Sequence, residues 1–130
     1  MEVNEDMKLA FVHIPKTGGM SISEALNLKG VRHFPSSYYK ENYPDYIRFT
    51  VIRGWKDRLV SSQKYHETNK HRIKHYEKSL YEQHLPIDFY LDYPCHYYLR
   101  FERLQEDFSN MLNELGYNDI KLPRLNESKD

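Results

Sequence analysis

The sequence has a single cysteine, Cys95, so no intrachain disulfide can form, and the chain suits a reducing compartment. It has no apolar run approaching the roughly 20 residues that span a bilayer. Residues 1–8 are acidic and polar, unlike a secretory signal, so a soluble cytoplasmic protein is expected. No charge sign is in excess either: Lys plus Arg and Asp plus Glu each total 19, which points to no nucleic-acid or other polyanionic partner. Internal repeats and linkers are missing, and 130 residues offer little material for a second core. One domain over 1–130 is expected, with 1–7 and 127–130 as flexible tails. What the chain has in plenty is aromatic: 15% of residues, 12 of them Tyr. Tyrosine brings apolar area with a polar tip, suited to lining a pocket as well as filling a core.

Two strand–turn–helix units stand out. Residues 8–14 form a short apolar run ended by Pro15 and read as a buried strand. A Gly-Gly loop comes next, and residues 20–28 then place Ile22, Ala25 and Leu26 at helical spacing. A short strand is expected near 30–33. Residues 46–53 combine β-branched and aromatic residues as a second clear strand. Gly54 breaks it, and a helix over 55–65 turns Trp55, Leu59 and Val60 inward. The polar stretch 67–83 reads as a mobile excursion or an exposed helix. A short helix is expected at 86–93, a strand at 96–101, and a helix at 104–115 with Leu104, Phe108, Met111, Leu112 and Leu115 as its apolar stripe. Gly116 is placed to end that helix. Strands alternating with helices argue for a parallel α/β sheet.

The loop Pro15-Lys16-Thr17-Gly18-Gly19-Met20-Ser21 lies between a strand and a helix and carries the parts of an anion site. A helix start presents backbone N–H groups, glycines let the backbone close around a phosphate, and lysine adds a mobile charge. The nucleotide triphosphatase loop is a different motif, since there the lysine comes after the glycines. A plain strand-to-helix turn is the competing reading.

With its flanking His13 and Ile14, this loop resembles the 5′-phosphosulfate loop of the sulfotransferases, especially the carbohydrate branch with the heparan sulfate 2-O-sulfotransferases. That family writes Pro-Lys-Thr-Gly-Gly-Thr-Ser, and only Met20 differs. The resemblance implies 3′-phosphoadenosine 5′-phosphosulfate (PAPS) as donor and 3′-phosphoadenosine 5′-phosphate (PAP) as product. Lys16 would contact the sulfuryl and 5′-phosphate oxygens, with donors from Thr17, Gly18, Gly19, Met20 and Ser21. It also implies a 3′-phosphate segment in which an arginine ends a strand and a serine stands eight residues later. Arg53 and Ser61 have that spacing, and an arginine fork can hold two phosphate oxygens at once. Gly54-Trp55 departs from the family's usual Asp-Pro or Asn-Pro. Arg58 reads rather as a structural ion pair. The stretches 98–108 and 122–128 are similar to later family segments, whereas relatives continue beyond the point where this sequence ends.

The resemblance implies a three-layer α/β fold with a central parallel sheet, of the P-loop nucleotide-kinase type. Sulfuryl would pass from PAPS to an acceptor hydroxyl, with a glycan among the candidate acceptors, without a metal. Lys16 would meet charge on the leaving oxygen, and His33 would act as base. A partly buried histidine with a structural hydrogen bond is the other reading of His33. His13 reads as structural, and Glu102 as a packing or loop-orienting carboxylate. His66, His71 and His75 lack a third ligand at metal-site spacing and read as a solvated face, while the surrounding basic residues can draw an anionic glycan. Tyr38, Tyr39, Tyr43 and Tyr46 can stack on sugars or fill core and rim. Two other functions compete. One is a PAPS- or PAP-binding module with reduced catalysis. The other is a small nucleotide kinase, for which the Gly-Lys-Ser/Thr loop and magnesium-binding aspartate are missing.

Overall fold

The computed structural model describes residues 2–15, 17, 19–28, 33–53 and 87–122. The helix expected at 55–65, the polar stretch 67–83, most of the strand expected at 30–33 and the last family-like stretch past Leu122 lie outside the described residues.

Four strands form one sheet in sequence order: β1 (Val3–Asn4), β2 (Leu9–Val12), β3 (Ile47–Ile52) and β4 (Tyr97–Arg100). The three longer strands run parallel, pairing Val12 with Thr50 and Ile52 with Arg100. Strand β1 is antiparallel to β2, so the sheet is mixed rather than wholly parallel. Residues 2–7, expected as a tail, are part of the fold. Asn4 Oδ1 accepts from the Met7 N–H at 2.9 Å to close the turn, and Lys8 adopts φ 52° before β2 begins. The Phe11 N–H then bonds the Glu2 carbonyl at 2.9 Å. The short polar start of the chain thus acquires order from the strand it covers.

Alternation along β2 and β3 sorts side chains onto two faces. Leu9, Phe11, Phe49, Val51 and Leu99 point to one side, where Ile22 and Leu26 meet Phe108, Met111 and Leu112. These come from α1 (Gly19–Ala25), the turn after it, and α4 (Leu104–Glu114). Ala10 and Val12 point to the other side, toward Tyr39 of α2 (Ser36–Asn42) and Tyr90 of α3 (Ile87–Tyr90). Helices therefore cover both faces, as expected of an α/β chain. Phe11 and Phe49 stack at 5.0 Å across the first core, and each such fully buried side chain contributes about 1.5–3 kcal/mol.

Helix ends obey local chemistry where glycine or asparagine is at hand. Gly116 takes φ 92°, and the Tyr117 N–H reaches the Leu112 carbonyl at 2.7 Å. This left-handed cap satisfies carbonyls that the helix leaves open. Asn27, at φ 53°, does the same for α1, with the Leu28 N–H on the Ser23 carbonyl at 2.8 Å. Helix α2 was not expected, and its start is capped from far away in sequence. Asp92 accepts from the Ser37 N–H at 2.9 Å and from the Ser37 hydroxyl at 2.5 Å, and Ser36 Oγ donates to the Tyr93 carbonyl at 2.6 Å. Partial burial pushes the Asp92 carboxyl up, but the hydrogen bonds from Ser37 and Ser36 outweigh it and hold it below the usual range.

Candidate functional site

In a parallel sheet the strand ends gather the loops that leave them, and open α/β sheets bind ligands at that carboxyl edge. Here the ends of β2, β3 and β4 lie side by side. Beyond β2 the chain passes through His13, Ile14 and Pro15 into the glycine loop and α1. Past β3 comes Arg53, and past β4 comes Phe101. The β2–β3 ladder ends at Val12 and Thr50, so the chain past Val12 and the chain past Ile52 leave the sheet at the same edge.

Within the loop, Thr17 is fully buried and its hydroxyl donates to the Ile14 carbonyl at 2.6 Å. That bond ties the loop back onto the end of β2, so the Thr17 hydroxyl pins the turn. Gly19 opens α1, and Met20 next to it is 54% exposed. Ser21 is buried on the first turn. Lys16, Gly18 and Ser61 lie outside the described residues.

Arg53 lays its guanidinium over the Phe101 ring, 4.1 Å from the centroid. At that distance the cation is within reach of the ring face, an attraction that holds the arginine against the end of β4. Residue type and spacing did not point to Phe101. Its pairing with Arg53 depends on β4 lying next to β3, and strand order is not written in local pattern. Glu102, expected as a packing or loop-orienting carboxylate, is exposed.

His33 reaches the same edge. Its Nδ1 lies 2.8 Å from the His13 carbonyl oxygen, and its ring meets the His13 ring edge-on at 4.8 Å. A carbonyl can only accept, so Nδ1 carries the proton, and in the neutral ring the lone pair belongs to Nε2. His13 itself is 5% exposed, stacked on Phe11 at 4.9 Å, with its Nδ1 on Glu2 Oε1 at 2.9 Å. The structural reading of His13 agrees with that burial. Glu2 gives no signal in the sequence because its burial depends on β1 folding back along β2.

The tyrosines divide by depth. Tyr39 is fully buried, and burial, then the nearby Glu2 carboxylate, drive its hydroxyl well above the usual tyrosine range. It cannot stack on a sugar. Phe34 stacks on Tyr38 at 4.3 Å, and Tyr43 packs on Tyr46 at 5.0 Å. Both pairs flank the second core as partly buried residues. Among the described residues no helix is long and apolar enough to cross a membrane. No protein-family model matches this chain, and no curated protein or solved structure matches it either.

Proposed function

We propose that this chain is a PAPS-dependent sulfotransferase of the P-loop nucleotide-kinase type of fold, acting on an acceptor hydroxyl. One observation carries the reading. The parallel pairing of β2 with β3 brings the end of the Pro15–Ser21 loop strand and Arg53 to one sheet edge. Two segments about 35 residues apart in sequence each resemble a half-site for one end of the same bisphosphorylated nucleotide, and a shared edge is what that ligand needs.

The donor set suits such a nucleotide. Arg53, set 4.1 Å from the Phe101 ring centroid, would offer its planar fork to the 3′-phosphate, and the resemblance adds Ser61 to that half-site. The backbone from Thr17 to Ser21 would cradle the 5′ end, and Lys16 would supply charge there. Bound PAPS contributes the activated sulfuryl group. His33 takes the acceptor proton on Nε2, the nitrogen that its bond to the His13 carbonyl leaves as the base. Lys16 neutralises charge on the phosphate oxygen as its bond to sulfur breaks and the acceptor oxygen bonds to sulfur.

The test is incubation of the full chain with sulfur-labelled PAPS and a panel of glycans, small alcohols and tyrosine peptides. Label transfer to one acceptor class, with PAP formed in equal amount, is the expected result. Tight PAP binding without transfer to any acceptor would replace the enzyme with a binding module. Absence of PAP binding would end the reading altogether.

A further inference from the structure

Outside the anion-binding residues, the most unusual chemistry in the described fold is a fully buried carboxylate behind the candidate base. Glu2 is 0% exposed. Its Oε1 lies 2.9 Å from His13 Nδ1 and 3.5 Å from Ser23 Oγ, and its Oε2 has no hydrogen-bond partner among the described residues. Removing a carboxylate from water is costly unless it is paired. A chain with many exposed positions for glutamate nevertheless places one here, on the short β1 arm and against a single imidazole. The arm is held at both ends: its main chain bonds Phe11, and Asn4 Nδ2 donates to the Leu26 carbonyl at 2.9 Å.

What the pair touches next is His33. Glu2 fixes the His13 ring, with Phe11 stacked on its face and the His33 ring set against it at 4.8 Å and 61°. The same residue 13 receives the His33 Nδ1–H on its carbonyl. Residue 13 therefore grips His33 twice, and Glu2 immobilises residue 13. His13 is too buried to meet an acceptor, while His33 is only partly buried. The order of groups is carboxylate, buried imidazole, partly buried imidazole.

We propose that Glu2 and His13 are positioning residues that hold His33 in its Nδ1–H tautomer with Nε2 turned toward the carboxyl edge of the sheet. The catalytic part of this inference rests on the sulfotransferase reading; the positioning part does not. Partners that orient metal-bound histidines from behind typically contribute 10–100-fold, and a similar scale is expected for this metal-free pair.

The experiment observes the histidine ring nitrogens by 15N NMR in the full chain without nucleotide, at about pH 8.5 where an ordinary imidazole is neutral. It is paired with turnover measured on sulfur-labelled PAPS. In the wild-type chain His33 should carry its proton on Nδ1. Glu2→Leu removes the acceptor for His13 and should convert His33 to a mixture of tautomers. Turnover should then fall roughly 10–100-fold with PAP affinity unchanged. Glu2→Gln keeps an acceptor oxygen and should retain the tautomer and most of the turnover. A residue that served stability alone would lower the melting temperature in both variants and leave the His33 tautomer untouched. An Nε2–H His33 in the wild-type chain overturns the proposal, as does an unaltered His33 in Glu2→Leu. Should Glu2→Leu fail to fold, loss of the Nδ1–H form in folded Glu2→Gln overturns it as well. If the ring signals behave as expected but PAPS is never turned over, positioning stands and the sulfotransferase reading falls.

Discussion

Arg53→Ala tests the nucleotide proposal most directly, because it separates the contact that the structure shows from the role that is proposed. One is packing: the guanidinium sits 4.1 Å over the Phe101 ring, a contact of about 0.5–2 kcal/mol. The other, in the proposed function, is to hold the 3′-phosphate through charge-assisted hydrogen bonds of about 1.5–3 kcal/mol. At about 1.4 kcal/mol per tenfold, the second job amounts to roughly 10–150-fold in affinity. It should be seen only with a nucleotide that has the 3′-phosphate. Calorimetric titration with PAP and with adenosine 5′-phosphate separates the two. Wild-type protein should prefer PAP by at least about tenfold, and Arg53→Ala should bring the two affinities close together. Arg53→Lys keeps the charge but loses the fork, so its preference should be intermediate. Phe101→Leu removes the platform and should weaken PAP by a few-fold while leaving adenosine 5′-phosphate alone. If Arg53→Ala lowers the melting temperature but leaves the PAP preference intact, the arginine is a packing residue and the assignment fails.

Three further outcomes are expected. His33→Ala should lower turnover by roughly 10²–10⁴-fold with PAP affinity kept, and His33→Asn should not rescue it. An active His33→Asn enzyme would make the histidine structural and move the search for the base elsewhere. The Cys95 thiol is nearly buried, and burial pushes it up to about 12 despite the opposing Arg48 charge. It should therefore resist thiol reagents in the folded protein and react at once in denaturant; rapid labelling without denaturant would contradict that. The Arg100 side chain holds the Asp107 carboxyl down at about 2, by hydrogen bonds and charge. This folded value lies below the unfolded one, so the pair stabilises above about pH 4 and loses its contribution as pH falls toward about 2. With Arg100 half exposed, solvent screens the pair and keeps the effect small. Urea unfolding of Asp107→Asn should show it at about pH 7 and not at about pH 2.

Much of the scaffold was legible because its signals are local. The stripe of α4 and its Gly116 stop came from helical spacing and the one residue type that takes φ 92° without strain. Strands β2, β3 and β4 came from apolar and β-branched runs, each trimmed by one or two residues at its ends. The glycine loop was nominated from residue type and spacing, whereas Arg53 and His33 came from the resemblance to the sulfotransferases. Helix α2 was hidden because its cap, Asp92, is 55 residues from Ser37. Its Tyr39 is an anchor on the second core rather than a surface ring.

Tertiary structure alone decided the company that each nominated residue keeps. Strand order put Arg53 beside the loop strand and Phe101 under its guanidinium. The antiparallel return of β1 buried Glu2 against His13, and His13 in turn gripped His33. The reason is physical. Periodicity, capping and turn preference act over a few residues and are written into the chain wherever they operate. Pairing between strands and the burial of one charge by another depend on which distant segments meet, and only the whole fold sets that.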